Sequence, residues 1–239
     1  MIVRVRHTDL LSGGFSPLLP CLETAERFGG GLFEQTDETG RTALLGLVGT
    51  TAYVTADRSP PLAEIAAFCH LSGVDLILAE IPLPRSRALP LMTATSVGTC
   101  TEDVRFLTPG SSQSEYRAAA ELLFQREAER ESFYLALSQR IVAESAACAL
   151  FVENGAVVGA AAAPYFSADG ACISGVAVSP NARGRGVGTA CVTALVHRLR
   201  QYGKNTVTLW CERETVPFYK NAGFTERGCV YEGIVDDLL

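Results

Sequence analysis

Arg183-Gly-Arg-Gly-Val-Gly188 is the stretch that decides how this chain reads. An apolar run, Ile173-Ser-Gly-Val-Ala-Val178, leads into it, and an amphipathic run from Val187 to Tyr202 leaves it. Strand, glycine turn and helix start, in that order, point unsatisfied backbone N–H groups at a common spot, where the helix dipole attracts an anion. Glycines let the backbone approach that anion closely, and two arginines supply the forked donors that oxygen anions prefer. The stretch predicts a phosphate site. Taken alone, it is also compatible with an ordinary turn carrying two solvated arginines.

The flanking residues fill in an alternation of strands and helices. Val192, Leu195, Val196, Leu199 and Tyr202 mark one face of the helix after the turn, and Gly203 is its stop. Thr206–Cys211 reads as a strand, Pro217 suits the first turn of a short helix, Gly223 suits its cap, and Gly228–Glu232 reads as a last strand. Upstream, residues 114–126 and 129–144 read as helices. Cys148–Val152 and Ala156–Ala163 are strands joined at Glu153-Asn154-Gly155, a strong hairpin signal. A third strand is predicted over Ala171–Val178.

The spacing Arg183-x-x-Gly186-x-Gly188 resembles the coenzyme A pyrophosphate loop of the GNAT superfamily of N-acetyltransferases, and Pro217-Phe-Tyr-Lys-Asn-Ala-Gly-Phe224 resembles that family's second signature. Gly175-Val-Ala-Val-Ser-Pro180 also fits the strand entering the loop. The resemblance covers residues 112–231. It implies an α/β fold with a mixed sheet, the GNAT acyltransferase fold, in the C-terminal half; the pattern of the preceding residues reads as a smaller α/β domain. It further implies that backbone groups of Val176, Ala177 and Val178 pair with the pantetheine arm and polarise the thioester carbonyl, the acyl-transfer version of an oxyanion hole. N–H groups of Gly184, Arg185, Gly186, Val187, Gly188 and Thr189 would hold the pyrophosphate, with Arg183 beside them. Tyr219 would protonate the departing thiolate, and Phe218 would pack inward. Acetyl-CoA is the implied co-substrate, and transfer to a primary amine, on a small molecule or a peptide, the implied reaction. Direct attack in a ternary complex fits, because no cysteine or serine sits beside a histidine in an activated-nucleophile pattern. A non-catalytic acyl-CoA-binding module and a protein-interaction module are the competing readings.

No general base is legible. Ala171-Cys172-Ile173-Ser174-Gly175 offers no acid, and Cys172, where some relatives carry a glutamate, reads as inert packing. Glu212, Glu153 and Asp169 read as solvated carboxylates at strand ends and turns. Trp210 reads as a core residue.

The whole chain sets the bounds. Its 239 residues suffice for one large domain or two small ones, and 48% apolar with 19% charged residues is ordinary for a globular protein. A net charge of -6 argues against a nucleic-acid partner. No apolar run reaches the length of a membrane span, and Met1-Ile-Val-Arg-Val-Arg6 lacks the pattern of a signal peptide. Eight scattered cysteines, without a Cys-x-x-Cys pair, read as reduced core thiols in a cytoplasmic protein. The three histidines, His7, His70 and His197, are too far apart to suggest a metal site. Monomer and homodimer both stay open.

In the N-terminal half, Thr42–Val48 and Thr51–Thr55 read as a hairpin turning at Gly49-Thr50. Pro60-Pro61 then precede a helix with Leu62, Ile65, Ala66 and Cys69 on one face. Gly73 ends it, and Val74–Leu78 follows as a strand. The order echoes residues 156–211 without the phosphate loop: Asp57 would repel phosphate and the prolines remove N–H donors. The half is thus open to reading as a degenerate GNAT-like repeat. Pro82, Pro84, Pro90 and Pro109 mark residues 81–112 as a junction. The boundary falls near residue 110, giving domains 1–110 and 111–239.

Overall fold

A computed structural model describes residues 1–5, 16–56, 58–96 and 103–239. Asp57, His7 and Cys100 lie outside the described residues. In chain order the elements of the first stretch are β1 Ile2–Val5, α1 Leu19–Phe28, β2 Gly31–Asp37, β3 Gly40–Val48, β4 Thr51–Ala56, α2 Leu62–Leu71, β5 Leu76–Ala79 and β6 Arg87–Ala94. Then follow β7 Val104–Phe106, α3 Gln113–Leu123, α4 Glu127–Val142, β8 Ala147–Glu153, β9 Ala156–Ala163, β10 Tyr165–Phe166, β11 Gly170–Cys172 and β12 Val176–Val178. The chain closes with α5 Val187–Gln201, β13 Thr206–Trp210, α6 Val216–Asn221 and β14 Phe224–Ile234.

Two compact units emerge, and neither is a continuous piece of chain. One comprises Met1–Leu91, Trp210–Arg213 and Arg227–Leu239; the other comprises Met92–Leu209 and Glu214–Glu226.

In the first unit, β1 to β5 lie side by side in chain order and β14 joins the far side of β5. Val48 faces Thr51 across the Gly49-Thr50 turn, so the predicted hairpin forms as β3 and β4. The helix face read from residues 62–69 is buried at Ile65, Ala66 and Cys69, and Ile65 and Cys69 pack with Leu45, Val54 and Ile77. β4 and β5, on either side of α2, are hydrogen-bonded in parallel from Thr51↔Leu76 to Val54↔Ala79.

In the second unit, β8 and β9 form the predicted hairpin inside a sheet ordered β12-β9-β8-β7. Their side chains alternate. Cys148, Leu150, Ala160 and Ala162 pack with Tyr116, Ala119, Leu137 and Ile141 of α3 and α4, while the opposite face receives α5. The contact with α5 depends on Gly159: a Cβ there would come within 2.4 Å of Val187 Cγ1 and 3.2 Å of Cys191 Sγ. Gly159→Ala is therefore expected to cost about 1–3 kcal/mol, the usual range for overpacking a tight core. A fall in the urea midpoint at unchanged m-value would register it; an unchanged midpoint would show that α5 yields freely.

Two segments differ from the sequence expectation. The junction 81–112 contains two strands, β6 and β7. Pro90 sits inside β6 because its carbonyl still accepts from Cys211 N–H at 3.1 Å; proline forfeits only the donor. The predicted strand Ala171–Val178 is two strands, β11 and β12, in different sheets.

Candidate coenzyme cleft

The break between β11 and β12 makes the cleft. β11 runs parallel to β13 as far as the bond from Ile173 N–H to Thr208 O, 2.8 Å. One residue on, Ser174 N–H donates to Ala162 O, and Ala162 N–H donates to Gly175 O, both 2.9 Å. The chain has left one ladder for the other. Gly175 makes the switch at φ +134°, a conformation that side chains of L-residues disfavour. From there β12 pairs antiparallel with β9 alone, Val176↔Ala161 to Val178↔Gly159, and forms the edge of its sheet. Its outer edge leaves backbone donors and acceptors for a ligand to meet, as any edge strand does.

α5 begins at the end of this edge, with Gly186 as its N-cap at φ +79°. Ala190 N–H bonds back to Gly186 O at 2.9 Å, so the N–H groups of Val187, Gly188 and Thr189 have no acceptor within the helix. Among the described residues no side chain caps them, and no acid stands in the first turn. The contrast with α3 is direct: there Ser112 and Glu115 form a capping box that fills the N-terminus. At Gly188 the constraint is space, since a Cβ would meet Phe218 and Val178 side chains at 3.2 Å.

A cleft of about 390 Å³ lies over this helix start. Residues 176–178, 183, 184 and 186–189 line it, together with Ala182, Thr215, Phe218 and Tyr219. The strand edge, the glycine turn and Tyr219, read separately from the sequence, thus share one cavity. Arg185 stands apart from them. Its Nη1 and Nη2 donate to the two carboxylate oxygens of Glu153 at 3.0 and 2.5 Å. Hydrogen bonding from Arg185 holds the Glu153 carboxyl below its usual pKa, so Glu153 at its turn is solvent-facing and also paired. Arg183 Nε donates to Val178 O at 3.2 Å, which ties the turn to the strand edge.

Tyr219 sits on α6, half-buried, with its ring 4.9 Å from that of Phe218 and 5.9 Å from that of Phe224. Phe218 was expected to pack inward; it lines the cleft instead. Ala182, Thr215 and Phe218 are the lining residues that sequence reasoning missed. The proximity of Gly188 to Phe218 was the available signal, but only a fold exposes it.

The acids and thiols narrow the chemistry. In the first unit Glu212 is engaged by Arg87, which also binds Glu232, each at 2.5 Å. Trp210, in the same unit, is half-buried with its ring 6.3 Å from that of Tyr53. Cys172 is fully buried. Burial pushes the Cys191 thiol, on α5, up to about 12, so it is protonated at neutral pH and no nucleophile. Among the described residues, no group of three or more His, Cys, Asp or Glu could hold a metal ion, and no helix is long and apolar enough to cross a membrane.

Comparison with known proteins agrees with this architecture. Residues 113–224 match the profile of the Acetyltransferase (GNAT) family. A tandem GNAT protein from the clavulanic acid biosynthesis pathway superposes with a TM-score of 0.59 over 98% of both chains, at 13% identity. A GNAT-family acetyltransferase from Colwellia psychrerythraea gives 0.59 over 98% of this chain and 99% of its own, also at 13% identity. The uncharacterized N-acetyltransferase ycf52 of Pyropia yezoensis is 37% identical over 71 residues, 30% of this chain and 41% of that protein. Residues 113–224 match a GNAT acetyltransferase domain, and the chain as a whole shares the mixed α/β fold of these structures.

Proposed function

We propose that the chain is an acyl-CoA-dependent N-acyltransferase that moves the acetyl group of acetyl-CoA to a primary amine. The observation that carries this reading is the uncapped N-terminus of α5, opening with the free edge of β12 into one cleft. Three N–H donors, the positive end of a helix dipole and Arg183 suit a diphosphate; an extended strand edge suits the amide-bearing pantetheine arm. The amine nitrogen attacks the thioester carbon directly, the N–C bond forms as the C–S bond breaks, and the departing thiolate takes a proton from Tyr219. The amine proton leaves to water, and water returns a proton to the Tyr219 phenolate. In this reading 111–239 is the catalytic domain, and 1–110 is a degenerate GNAT-like half. Support for the latter comes from the first unit itself. Its β4 and β5 are hydrogen-bonded across the place where β12 and β13 belong to different ladders, so the described residues of that half leave no equivalent opening.

The test is a screen of small amines and peptides with purified protein and acetyl-CoA, followed by thiol release. Saturable release dependent on one acceptor class is expected. Tight acetyl-CoA binding with no release above hydrolysis for any amine would favour a non-catalytic binding module.

A further inference from the structure

Arg185 lies between two glycines, Gly184 at φ +74° and Gly186 at φ +79°, and a Cβ on either would meet nothing within 4 Å. At these two glycines the described residues leave open space, and glycine is the residue with most backbone freedom to lose. Among the described residues, two side-chain ties restrain the turn. Arg183 reaches back only to Val178 O in the adjoining strand. Arg185 reaches a different hairpin, where both its Nη atoms bind Glu153.

Glu153 is well placed to act as an anchor. It faces Ala156 across a two-residue turn, Asn154 at φ +50° and Gly155 at φ +80°. Two left-handed central residues define the hairpin turn that best matches strand twist, and that fixes the end of β8.

We propose that Glu153 is a positioning residue for the diphosphate turn, holding it through Arg185 in the shape that acyl-CoA needs. This rests on the coenzyme reading of the same cleft. The fork of Arg185 is occupied by carboxylate, so the diphosphate is left to Arg183 and the backbone N–H groups of α5. The ordering of a glycine turn is met during folding rather than during binding, which is how a preorganised site gains affinity. An exposed ion pair contributes little to global stability, so the effect belongs in ligand affinity.

Calorimetry with coenzyme A on the full chain tests this. Glu153→Gln is expected to weaken binding by about three- to ten-fold, within the range of coupled neighbours. Arg185→Met should do the same, and the double variant should lose no more than either single one. Thermal midpoints should stay put, and turnover of Glu153→Gln at saturating acetyl-CoA should be unchanged. If Arg185 instead bonds the coenzyme itself, Arg185→Met will weaken binding while Glu153→Gln leaves it unchanged or tightens it. That pattern, or losses that simply add in the double variant, overturns the proposal. Failure of the unaltered protein to bind coenzyme A would instead sink the coenzyme reading beneath it.

Discussion

Gly186→Val is expected to lower acetyl-CoA affinity by at least about 100-fold, equivalent to about 2.7 kcal/mol. The substitution acts through backbone shape rather than crowding, since a Cβ at Gly186 would meet nothing within 4 Å. At φ +79° a β-branched residue is strained by about 1–3 kcal/mol and relaxes by moving to negative φ. The N-cap then rotates, and the N–H groups of Val187, Gly188 and Thr189 no longer converge. A charge-assisted hydrogen bond contributes about 1.5–3 kcal/mol, so losing two accounts for the drop. Arg183→Gln should cost only a few-fold, because the backbone donors remain. Calorimetry on a variant with native circular dichroism decides the matter: unchanged affinity would mean that the turn does not hold the diphosphate.

Tyr219→Phe is expected to lower kcat by about 10–100-fold with acetyl-CoA affinity within a few fold. The ring keeps its place between Phe218 and Phe224, and only the hydroxyl goes. General acid–base groups typically contribute about 10²–10⁴-fold, and a thiolate is already a competent leaving group, which puts the loss near the bottom of that range. The measurement must be made where the chemical step limits the rate. An unchanged kcat there would return Tyr219 to a packing role and leave the thiolate to water.

The parts of this site legible in the sequence were those whose chemistry is local. Gly186 and Gly188 announce a helix start, Asn154-Gly155 announces a tight turn, and Pro217 with Gly223 brackets a short helix. These depend on residues within a turn of one another. The break at Ser174-Gly175 was hidden, because a strand that changes partners keeps the same apolar pattern on both sides. The Glu153–Arg185 pair was hidden as well, since no spacing rule links a hairpin to a turn so far along the chain. In the first unit α1 and β2 went unread, and β6 was masked by Pro90, whose carbonyl pairs although its nitrogen cannot. β14 proved longer than its predicted core of 228–232, running from Phe224 to Ile234.

That last strand has a consequence for the order of events during synthesis. β5 meets its second neighbour only when residues 231–234 pair with residues 76–79. Most of the first unit precedes the second in the chain, yet it is completed only by residues that follow it, and until then β5 carries an open edge of Leu, Ile, Leu and Ala. Such an edge is a template for pairing with other chains. A nascent chain stalled or clipped before residue 231 would be prone to aggregate, whatever the state of its coenzyme cleft.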